Sequence, residues 1–157
     1  LKPDAVVWDL GAGTGSVSIE CARMCPFGEV YAVEYKPEAL DILEQNKTRF
    51  QTKNLQIIAG RAEEQVQHLP VPDCVFLGGS SGAAKQLVAG LRQLRQPVRL
   101  VASAVTMETQ AELFPLLQEL PQFEVVQLAV GCGKTVGNYH VLEGNHPVLL
   151  FSCMTKE

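Results

Sequence analysis

Short apolar runs alternate with segments of helical periodicity along the first two thirds of the chain. The runs are bounded by Gly, Pro, Asp or Asn, which is the pattern of strands that end in turns. Because a predicted helix follows each predicted strand, the pattern indicates βα units on a parallel sheet and therefore an α/β fold. The predicted strands are residues 5–10, 29–34, 54–59, 74–77 and 98–104.

The predicted helices lie between and after these strands. The first ends near residues 26–28, and its apolar spacing is set by Val17, Cys21 and Met24, with Ile19 and Ala22 beside them. The second begins at Pro37, where a missing N–H is harmless, and its apolar side is Ala39, Ile42, Leu43 and Phe50. Further helices are predicted within 60–69, at 83–94 and at 108–120, the last with Pro115 as a kink position.

Residues 123–154 show no helical pattern. Residues 123–130 and 148–154 are predicted to pair antiparallel and to close the sheet, and residues 131–147 are predicted to form a long loop between them. Ligands of such sheets bind at the carboxyl ends of the strands, near the switch in strand order. The residues that follow each strand are therefore the candidates for a site.

Length and charge narrow the class of protein. A chain of 157 residues is expected to form a single domain over residues 1–157. It opens almost directly on a core strand, so we expect it to be a fragment of a longer chain. The net charge of −4, with acids and bases interspersed, argues against a nucleic-acid partner. No apolar run reaches the roughly 18 residues of a membrane span, and no membrane partner is expected.

The five cysteines form no metal-binding or disulfide pattern. Their number is odd and no C-x-x-C occurs, so neither a zinc site nor a disulfide framework is predicted. Reduced cysteines that pack as small apolar residues are expected, as in a cytoplasmic protein.

A glycine-rich turn follows the first strand. Asp9 precedes it, and its residues are Gly11, Ala12, Gly13, Thr14 and Gly15. Glycine allows a sharp turn and a close approach of a ligand, and the helix after it presents free N–H groups. A dinucleotide site places its third glycine at the position of Ser16. The observed G-x-G-x-G after an acid resembles instead the first motif of S-adenosylmethionine-dependent methyltransferases. A nicotinamide-dependent oxidoreductase and a glycine turn without a ligand are the alternatives.

Polar residues follow the second and third strands. Glu34 is predicted to accept hydrogen bonds from both ribose hydroxyls of a cofactor; the alternative is a solvated surface glutamate. Tyr35 is expected against the adenine. Arg61 and Ala62 follow the third strand, where methyltransferases place the adenine. Arg61 has three open roles: stacking on the adenine, binding an acidic substrate, or pairing with one of the two glutamates that follow.

The fourth and fifth strands end in small and polar residues. After the fourth come Gly78, Gly79, Ser80, Ser81 and Gly82. They include neither the N-P-P-Y type motif of amino-methyltransferases nor carboxylates for a divalent ion, so no metal site is predicted. Two glycines at a strand end permit the approach of something large and flat, or form an anion nest. After the fifth strand, Thr106 is predicted to cap the next helix, with Glu108 in its first turn.

Three stretches together carry a narrower resemblance. Residues 8–20 (WDLGAGTGSVSIE), 72–82 (PDCVFLGGSSG) and 102–109 (ASAVTMET) resemble the decarboxylating precorrin C15-methyltransferases of cobalamin biosynthesis. This domain stands alone in some organisms and forms the C-terminal half of precorrin-6Y C5,15-methyltransferase in others. Together with the order of the predicted elements, the resemblance implies a class I, Rossmann-like methyltransferase fold with a seven-stranded, mostly parallel sheet and a terminal antiparallel β-hairpin.

The resemblance also implies an activity and partners. The family methylates carbon 15 of a tetrapyrrole, with or without cobalt, and decarboxylates its ring C acetate, with S-adenosylmethionine as cofactor. A homo-oligomer (a tetramer or dimer) and a fused upstream methyltransferase domain are expected from it. The alternatives are a class I methyltransferase that acts on another small molecule or on protein, and a domain that binds the cofactor without catalysis.

Two sets of site residues follow from the motifs. The cofactor-binding set is Asp9, Gly11, Ala12, Gly13, Thr14, Gly15, Glu34, Tyr35, Arg61 and Ala62. The substrate-binding set is Gly78, Gly79, Ser80, Ser81, Gly82, Thr106, Glu108 and Lys134, the last as the substitute for an arginine of the family. No catalytic base is assigned, because methyl transfer to an electron-rich carbon needs chiefly alignment. His140, beside Tyr139, is the histidine most open to a substrate contact.

Overall fold

Nine strands, five α-helices and one 3₁₀ turn are described for residues 1–79 and 82–157 in the computed structural model. The strands are β1 (Val6–Leu10), β2 (Glu29–Glu34), β3 (Leu55–Ala59), β4 (Cys74–Leu77), β5 (Arg99–Ala104), β6 (Glu124–Leu128), β7 (Gly131–Val136), β8 (Tyr139–Gly144) and β9 (Val148–Met154). The helices are α1 (Ser16–Met24), α2 (Pro37–Phe50), α3 (Ala62–Gln65), α4 (Ala84–Gln93) and α5 (Met107–Leu117), and the 3₁₀ turn Val66–His68 extends α3.

The main sheet has seven strands in the order β3-β2-β1-β4-β5-β9-β6. The pairs from β3 to β5 are parallel, whereas β9 runs antiparallel to both β5 and β6. The seven-stranded, mostly parallel sheet with a closing antiparallel pair is therefore confirmed. The strand order reverses between β1 and β4, so the crevice for a ligand lies at the carboxyl ends of these strands.

Apolar side chains cover both faces of the sheet. Along β1, Val7 packs with Ile19 and Leu43 on the α1–α2 side, while Trp8 and Leu10 pack on the α4–α5 side. Because both faces are buried, the central strands read as nearly continuous apolar runs, which is typical of parallel sheets. The face of α1 that packs on the sheet was predicted only in part. Ile19 and Ala22 are buried, as expected, but Met24 is exposed.

The second helix also buries less than its sequence suggested. Leu43 is the buried residue of α2, while Ile42 and Phe50 are exposed. α2 contacts chiefly β3 at the edge of the sheet and α1 beside it, so only a narrow stripe of the helix is covered. The expectation that Ile42 and Phe50 face the core was wrong for this reason.

The prediction of a long loop over residues 131–147 was wrong. These residues contain a second hairpin. β7 and β8 pair antiparallel from Gly131 with Gly144 to Val136 with Tyr139. Gly137 turns between them with φ +60°, the left-handed conformation that two-residue hairpin turns require. Every residue of both strands is exposed, so the sequence carries no alternation of buried and exposed positions from which strands are normally predicted.

All five cysteines, each among the described residues, are free thiols. Burial raises the pKa of Cys21 to about 12 and that of Cys153 to about 11. Such thiols stay protonated at neutral pH and are poor nucleophiles. In the described part of the chain, no helix has the length and apolarity that crossing a membrane requires.

Thr106 caps α5 as predicted, because its Oγ1 accepts a hydrogen bond from the Thr109 N–H at 3.2 Å. Replacing Thr106 with alanine is expected to lower the free energy of unfolding by about 1 kcal/mol. Urea denaturation measures this, with Thr106→Ser as the control that keeps the acceptor. An alanine variant as stable as the wild type would contradict the capping role.

Candidate active site

A cavity of about 310 Å³ opens at the carboxyl ends of β1, β2, β3 and β4, at the reversal of strand order. It is walled by the glycine turn, the segment after β2, the segment after β3 and the end of β4. The residues that line it are Gly11, Gly13, Val33, Glu34, Tyr35, Lys36, Ala39, Gly60, Arg61, Ala62, Glu63, Gly78 and Gly79.

The glycine turn is fixed from below by β2. The N–H groups of Gly11 and Ala12 both donate to the Val33 carbonyl, at 2.9 and 3.1 Å. Gly11 has φ +76° and Gly13 has φ +56°, a region that side chains rarely adopt. A Cβ on Gly13 would meet no described atom within 4 Å, so the turn presents open backbone to the cavity.

Glu34 holds the glycine turn and the start of the next segment together. Its Oε2 accepts the Gly13 N–H at 2.9 Å, and its Oε1 accepts those of Tyr35 and Lys36 at 2.8 and 2.9 Å. Burial alone would raise the pKa of Glu34, but these N–H groups and the Lys36 ammonium lower it below its usual value. Glu34 is therefore a buried carboxylate that stays charged, not a solvated surface residue.

Asp9 lies beneath the turn rather than in the cavity wall. Its Oδ2 accepts a hydrogen bond from the Ser18 hydroxyl, and its Oδ1 has no partner among the described residues. Burial raises the pKa of Asp9 from 3.8 to about 6; the hydrogen bonds from Ser18 oppose this shift, and the Glu34 charge adds to it. The pKa of Asp9 is thus raised because the charge of its carboxyl group is costly in this buried place.

This raised pKa predicts a pH-dependent change in stability. The native state binds the Asp9 proton more tightly than the unfolded chain, so the stabilisation is complete below pH 4 and is lost as pH rises through about 6. The Asp9→Asn variant stays neutral at this position. We therefore expect its free energy of unfolding, relative to that of the wild type, to rise by about 2–3 kcal/mol from pH 4 to pH 7. Chemical denaturation at both pH values measures this difference, and an unchanged difference would contradict the shift.

Tyr35 and Arg61 meet at the mouth of the cavity. The Arg61 guanidinium lies 4.9 Å from the centre of the Tyr35 ring, and the Lys36 ammonium lies 5.8 Å from it. Arg61 also lies 3.9 Å from the Glu63 carboxylate, with about half of its side chain exposed. Two cations therefore stand beside an aromatic ring at the opening, an arrangement that suits a flat or anionic group.

The end of β4 packs directly on the glycine turn. A Cβ on Gly78 would lie 2.9 Å from the Gly11 carbonyl oxygen, whereas one on Gly79 would meet no described atom within 4 Å. The two glycines were predicted to permit a close approach of a ligand. At Gly78 the group that approaches closely is the glycine turn itself. Gly79 faces open space in the cavity wall.

Comparison with known proteins agrees with this geometry. Residues 1–155 match the sequence profile of a family described as the precorrin methyltransferase domain. The chain belongs to this precorrin methyltransferase family. Its fold is accordingly the class I methyltransferase fold that the order of strands predicted.

Several members of the precorrin methyltransferase family show the extent of the similarity. The cobalt-precorrin-6B C(15)-methyltransferase (decarboxylating) of Salmonella typhimurium is 34% identical over 95% of this chain and 78% of its own length. A crystal structure of precorrin-6y C5,15-methyltransferase from Geobacter metallireducens superposes with a TM-score of 0.89 at 31% identity, covering 98% of this chain and 82% of that one. A precorrin-6Y C(5,15)-methyltransferase of Sinorhizobium sp is 33% identical over 69% of this chain and 26% of its own length.

The structure brings together part of the predicted site of this methyltransferase domain. Of the cofactor set, the cavity wall contains Gly11, Gly13, Glu34, Tyr35, Arg61 and Ala62. The rest support the turn: Asp9 lies below it, and Asn46 donates to the Thr14 carbonyl at 2.9 Å. Ala12 and Gly15 belong to the turn but not to the described wall.

The predicted substrate set is more scattered. Gly78 and Gly79 line the cavity, and Ser80 and Ser81 lie outside the described residues. Gly82, Thr106 and Glu108 are not among the described residues that line the cavity. Lys134 lies on β7 and pairs with the Glu143 carboxylate at 3.0 Å, in the same exposed hairpin that carries Tyr139 and His140.

Sequence reasoning missed five residues of the wall, namely Val33, Lys36, Ala39, Gly60 and Glu63. Lys36 could have been predicted, because it directly follows Glu34 and Tyr35, which were selected as residues at the carboxyl end of β2. Val33 had none, since it reads as an ordinary core residue and contributes its backbone carbonyl to the turn.

Proposed function

We propose that this domain transfers a methyl group from S-adenosylmethionine to carbon 15 of a precorrin macrocycle and decarboxylates its ring C acetate. The observation that carries the proposal is the cavity at the reversal of strand order, built by a glycine turn and a charged Glu34. It occurs in a chain that is 34% identical to a decarboxylating C(15)-methyltransferase.

The residues present fit the proposed cofactor. The turn at Gly13 offers space next to the carboxylate of Glu34, as a ribose next to a carboxylate needs. An ionised carboxylate has about four acceptor sites, and three are taken by backbone N–H groups. We therefore refine the ribose prediction: the free site on Oε2 accepts one ribose hydroxyl, and the other hydroxyl shares an occupied oxygen.

The chain's own contribution to the reaction is positioning. S-adenosylmethionine supplies an electrophilic methyl group on sulfur when bound. The cavity residues would hold the donor in line with the acceptor carbon. Because alignment of the reacting atoms is the main requirement, no general base is needed among these residues. Gly79, with open space at its Cα, marks where the flat macrocycle would approach the donor.

Lys36 and Arg61 are proposed to meet the carboxylates of the substrate. Both cations stand at the mouth of the cavity beside Tyr35, in a chain whose net charge is −4. A polycarboxylate approaching an acidic protein needs such local positive charge.

A double-label turnover assay tests the proposed function. The domain is incubated with a precorrin substrate and methyl-labelled S-adenosylmethionine, and methyl incorporation and released carbon dioxide are both counted. We expect one of each per turnover. Methylation without carbon dioxide would overturn the decarboxylating assignment and leave the broader methyltransferase assignment. The absence of both products would overturn the whole proposal.

We also propose that the domain self-associates, as a dimer or tetramer, through β6 and the β7–β8 hairpin. Support comes from the exposed apolar side chains there, including Val126, Tyr139 and Leu142, the last 80% exposed. A two-stranded hairpin is only marginally stable without further packing. Light scattering of Leu142→Lys tests this: the variant should become monomeric at unchanged stability, and a wild type that is itself monomeric would refute the idea.

A fused upstream methyltransferase domain and a cytoplasmic location stay predictions. The Sinorhizobium relative, of which the chain covers 26% of the length, has room for such a second domain.

A further inference from the structure

A second cavity, of about 240 Å³, lies between α4 and the segment formed by α3 and the 3₁₀ turn. Its floor is buried and apolar, with Trp8 and Leu10 from β1 and Leu87 and Leu91 from α4. The function proposed above makes no use of it. A cavity of this size holds one aromatic ring with a short chain, and apolar cavities in protein cores do bind compact aromatic molecules.

Gly90 keeps this cavity open on the side of α4. It lies in the interior of the helix and is not among the glycines with a positive φ, so the backbone does not require glycine there. A glycine in a helix interior costs stability relative to alanine. A Cβ on Gly90 would meet no described atom within 4 Å. The residue therefore leaves space in the cavity wall that a longer side chain would fill.

Trp8 supplies an aromatic surface whose polar atom is already satisfied. Its indole N–H donates to the Pro70 carbonyl at 3.0 Å, and the residue is 4% exposed. The hydrogen bond fixes the ring, which lines the cavity. Such a ring attracts apolar groups by burial and a cation by the charge distribution of its face.

The charge of the cavity lining is negative. Glu63 is the one ionisable residue among the described residues that line it, whereas Gln67 and Gln86 at the exposed rim are polar but neutral. The Glu63 carboxylate is partly buried, and its contact with Arg61 is a long one of 3.9 Å. A ligand that complements this lining has an apolar body and a positively charged end.

We propose that this cavity binds a small organic amine. Its apolar body lies on Trp8 and the leucines of the floor, and its ammonium group donates to the Glu63 carboxylate. A hydrogen bond between two charged groups is stronger than a neutral one, so the charge selects the ligand and the apolar floor contributes the burial. The site does not depend on the cofactor or the reaction of the proposed function.

Trp8 is the only tryptophan of the chain, so its fluorescence reports on this cavity directly. Titration with 2-phenylethylamine should give a saturable change with a dissociation constant of about 0.1–1 mM, as expected for so small a ligand. 2-Phenylethanol lacks the charge and should bind about tenfold more weakly. 3-Phenylpropionate, which carries a negative charge on the same ring, should bind more weakly still.

Three variants locate the binding site of the amine. Gly90→Leu should fill the cavity and weaken binding of 2-phenylethylamine at least about tenfold. Its urea midpoint should not fall below that of the wild type, because leucine favours the helix, so lost binding is not lost folding. Ala89→Leu is the matched control: it adds the same side chain at an exposed position of α4 that is not among the described lining residues, and it should bind like the wild type. Glu63→Gln should lower the affinity for the amine to that of the alcohol.

The possible contradictions are distinct. Fluorescence that does not saturate by about ten times the expected dissociation constant overturns the site. Equal affinity for the amine and the alcohol, or an unchanged affinity for the amine in Glu63→Gln, overturns the amine as its ligand. Equal losses in Gly90→Leu and Ala89→Leu overturn this cavity as the place of binding. None of these results bears on S-adenosylmethionine, so the proposed function is tested separately.

Discussion

Replacing Glu34 with glutamine should weaken S-adenosylmethionine binding about 100- to 1,000-fold, or about 3–4 kcal/mol. The Glu34 carboxylate accepts three backbone N–H groups, one of them from Gly13 in the turn. A carboxamide has one acceptor oxygen and turns an NH₂ group toward a backbone donor, so at least one buried N–H loses its partner. If the lost partner is that of the Gly13 N–H, the turn loses its side-chain bond to β2 at the place where the ribose is proposed to bind, and keeps the bonds of Gly11 and Ala12 to the Val33 carbonyl.

Glu63→Gln is the matched control for this variant. Glu63 lines the same cavity, but among the described residues its carboxylate has only a long contact of 3.9 Å with Arg61. Its replacement should change the dissociation constant by less than about threefold, because a partly exposed pair of this kind contributes little. Equal losses in both variants would show that general negative charge, not the hydrogen bonds of Glu34, governs binding.

Gly11→Ala is expected to have the largest effect on the fold of the site. A Cβ at Gly11 would lie 2.7 Å from the Gly79 carbonyl oxygen and 3.0 Å from its nitrogen, at a backbone φ of +76°. Neither atom belongs to a flexible side chain, so the turn or the end of β4 must shift. We expect the free energy of unfolding to fall by about 3–4 kcal/mol, the sum of overpacking and backbone strain, and cofactor binding to be lost.

Gly79→Ala probes the same contact from its other side. Its Cβ would meet no described atom within 4 Å, so stability should change by less than about 0.5 kcal/mol. Urea denaturation of both variants provides the comparison. If Gly11→Ala unfolds at the same urea concentration as Gly79→Ala, the tight packing of the turn on β4 is refuted.

The parallel part of the fold could be predicted because its strands are buried on both faces. The runs around Trp8, Val33 and Val75 are nearly continuous in apolar residues, and each is bounded by turn residues. The β7–β8 hairpin could not, because its residues are exposed on both sides and leave no periodic pattern. The exposure of Met24 and Phe50 also follows from neighbours that the sequence does not show.

The cofactor side of the site was predictable for a topological reason. The carboxyl ends of adjacent parallel strands meet at one edge, so the glycine turn, Glu34 and Arg61 had to converge once the strands were placed. What lies under the turn was not predictable, since the burial and the unpartnered oxygen of Asp9 depend on α1 and on its Ser18. Lys134 was assigned to the substrate by family resemblance alone, and its observed partner is Glu143 on the neighbouring strand.

Equilibrium dialysis with labelled S-adenosylmethionine tests the central claim, that the glycine turn and Glu34 form its binding site. The wild type should bind one molecule per chain, S-adenosylhomocysteine should displace it, and NAD should not; Glu34→Gln should retain almost none at the same concentration. Displacement by NAD at comparable concentration, or equal binding by the wild type and Glu34→Gln, would contradict the account.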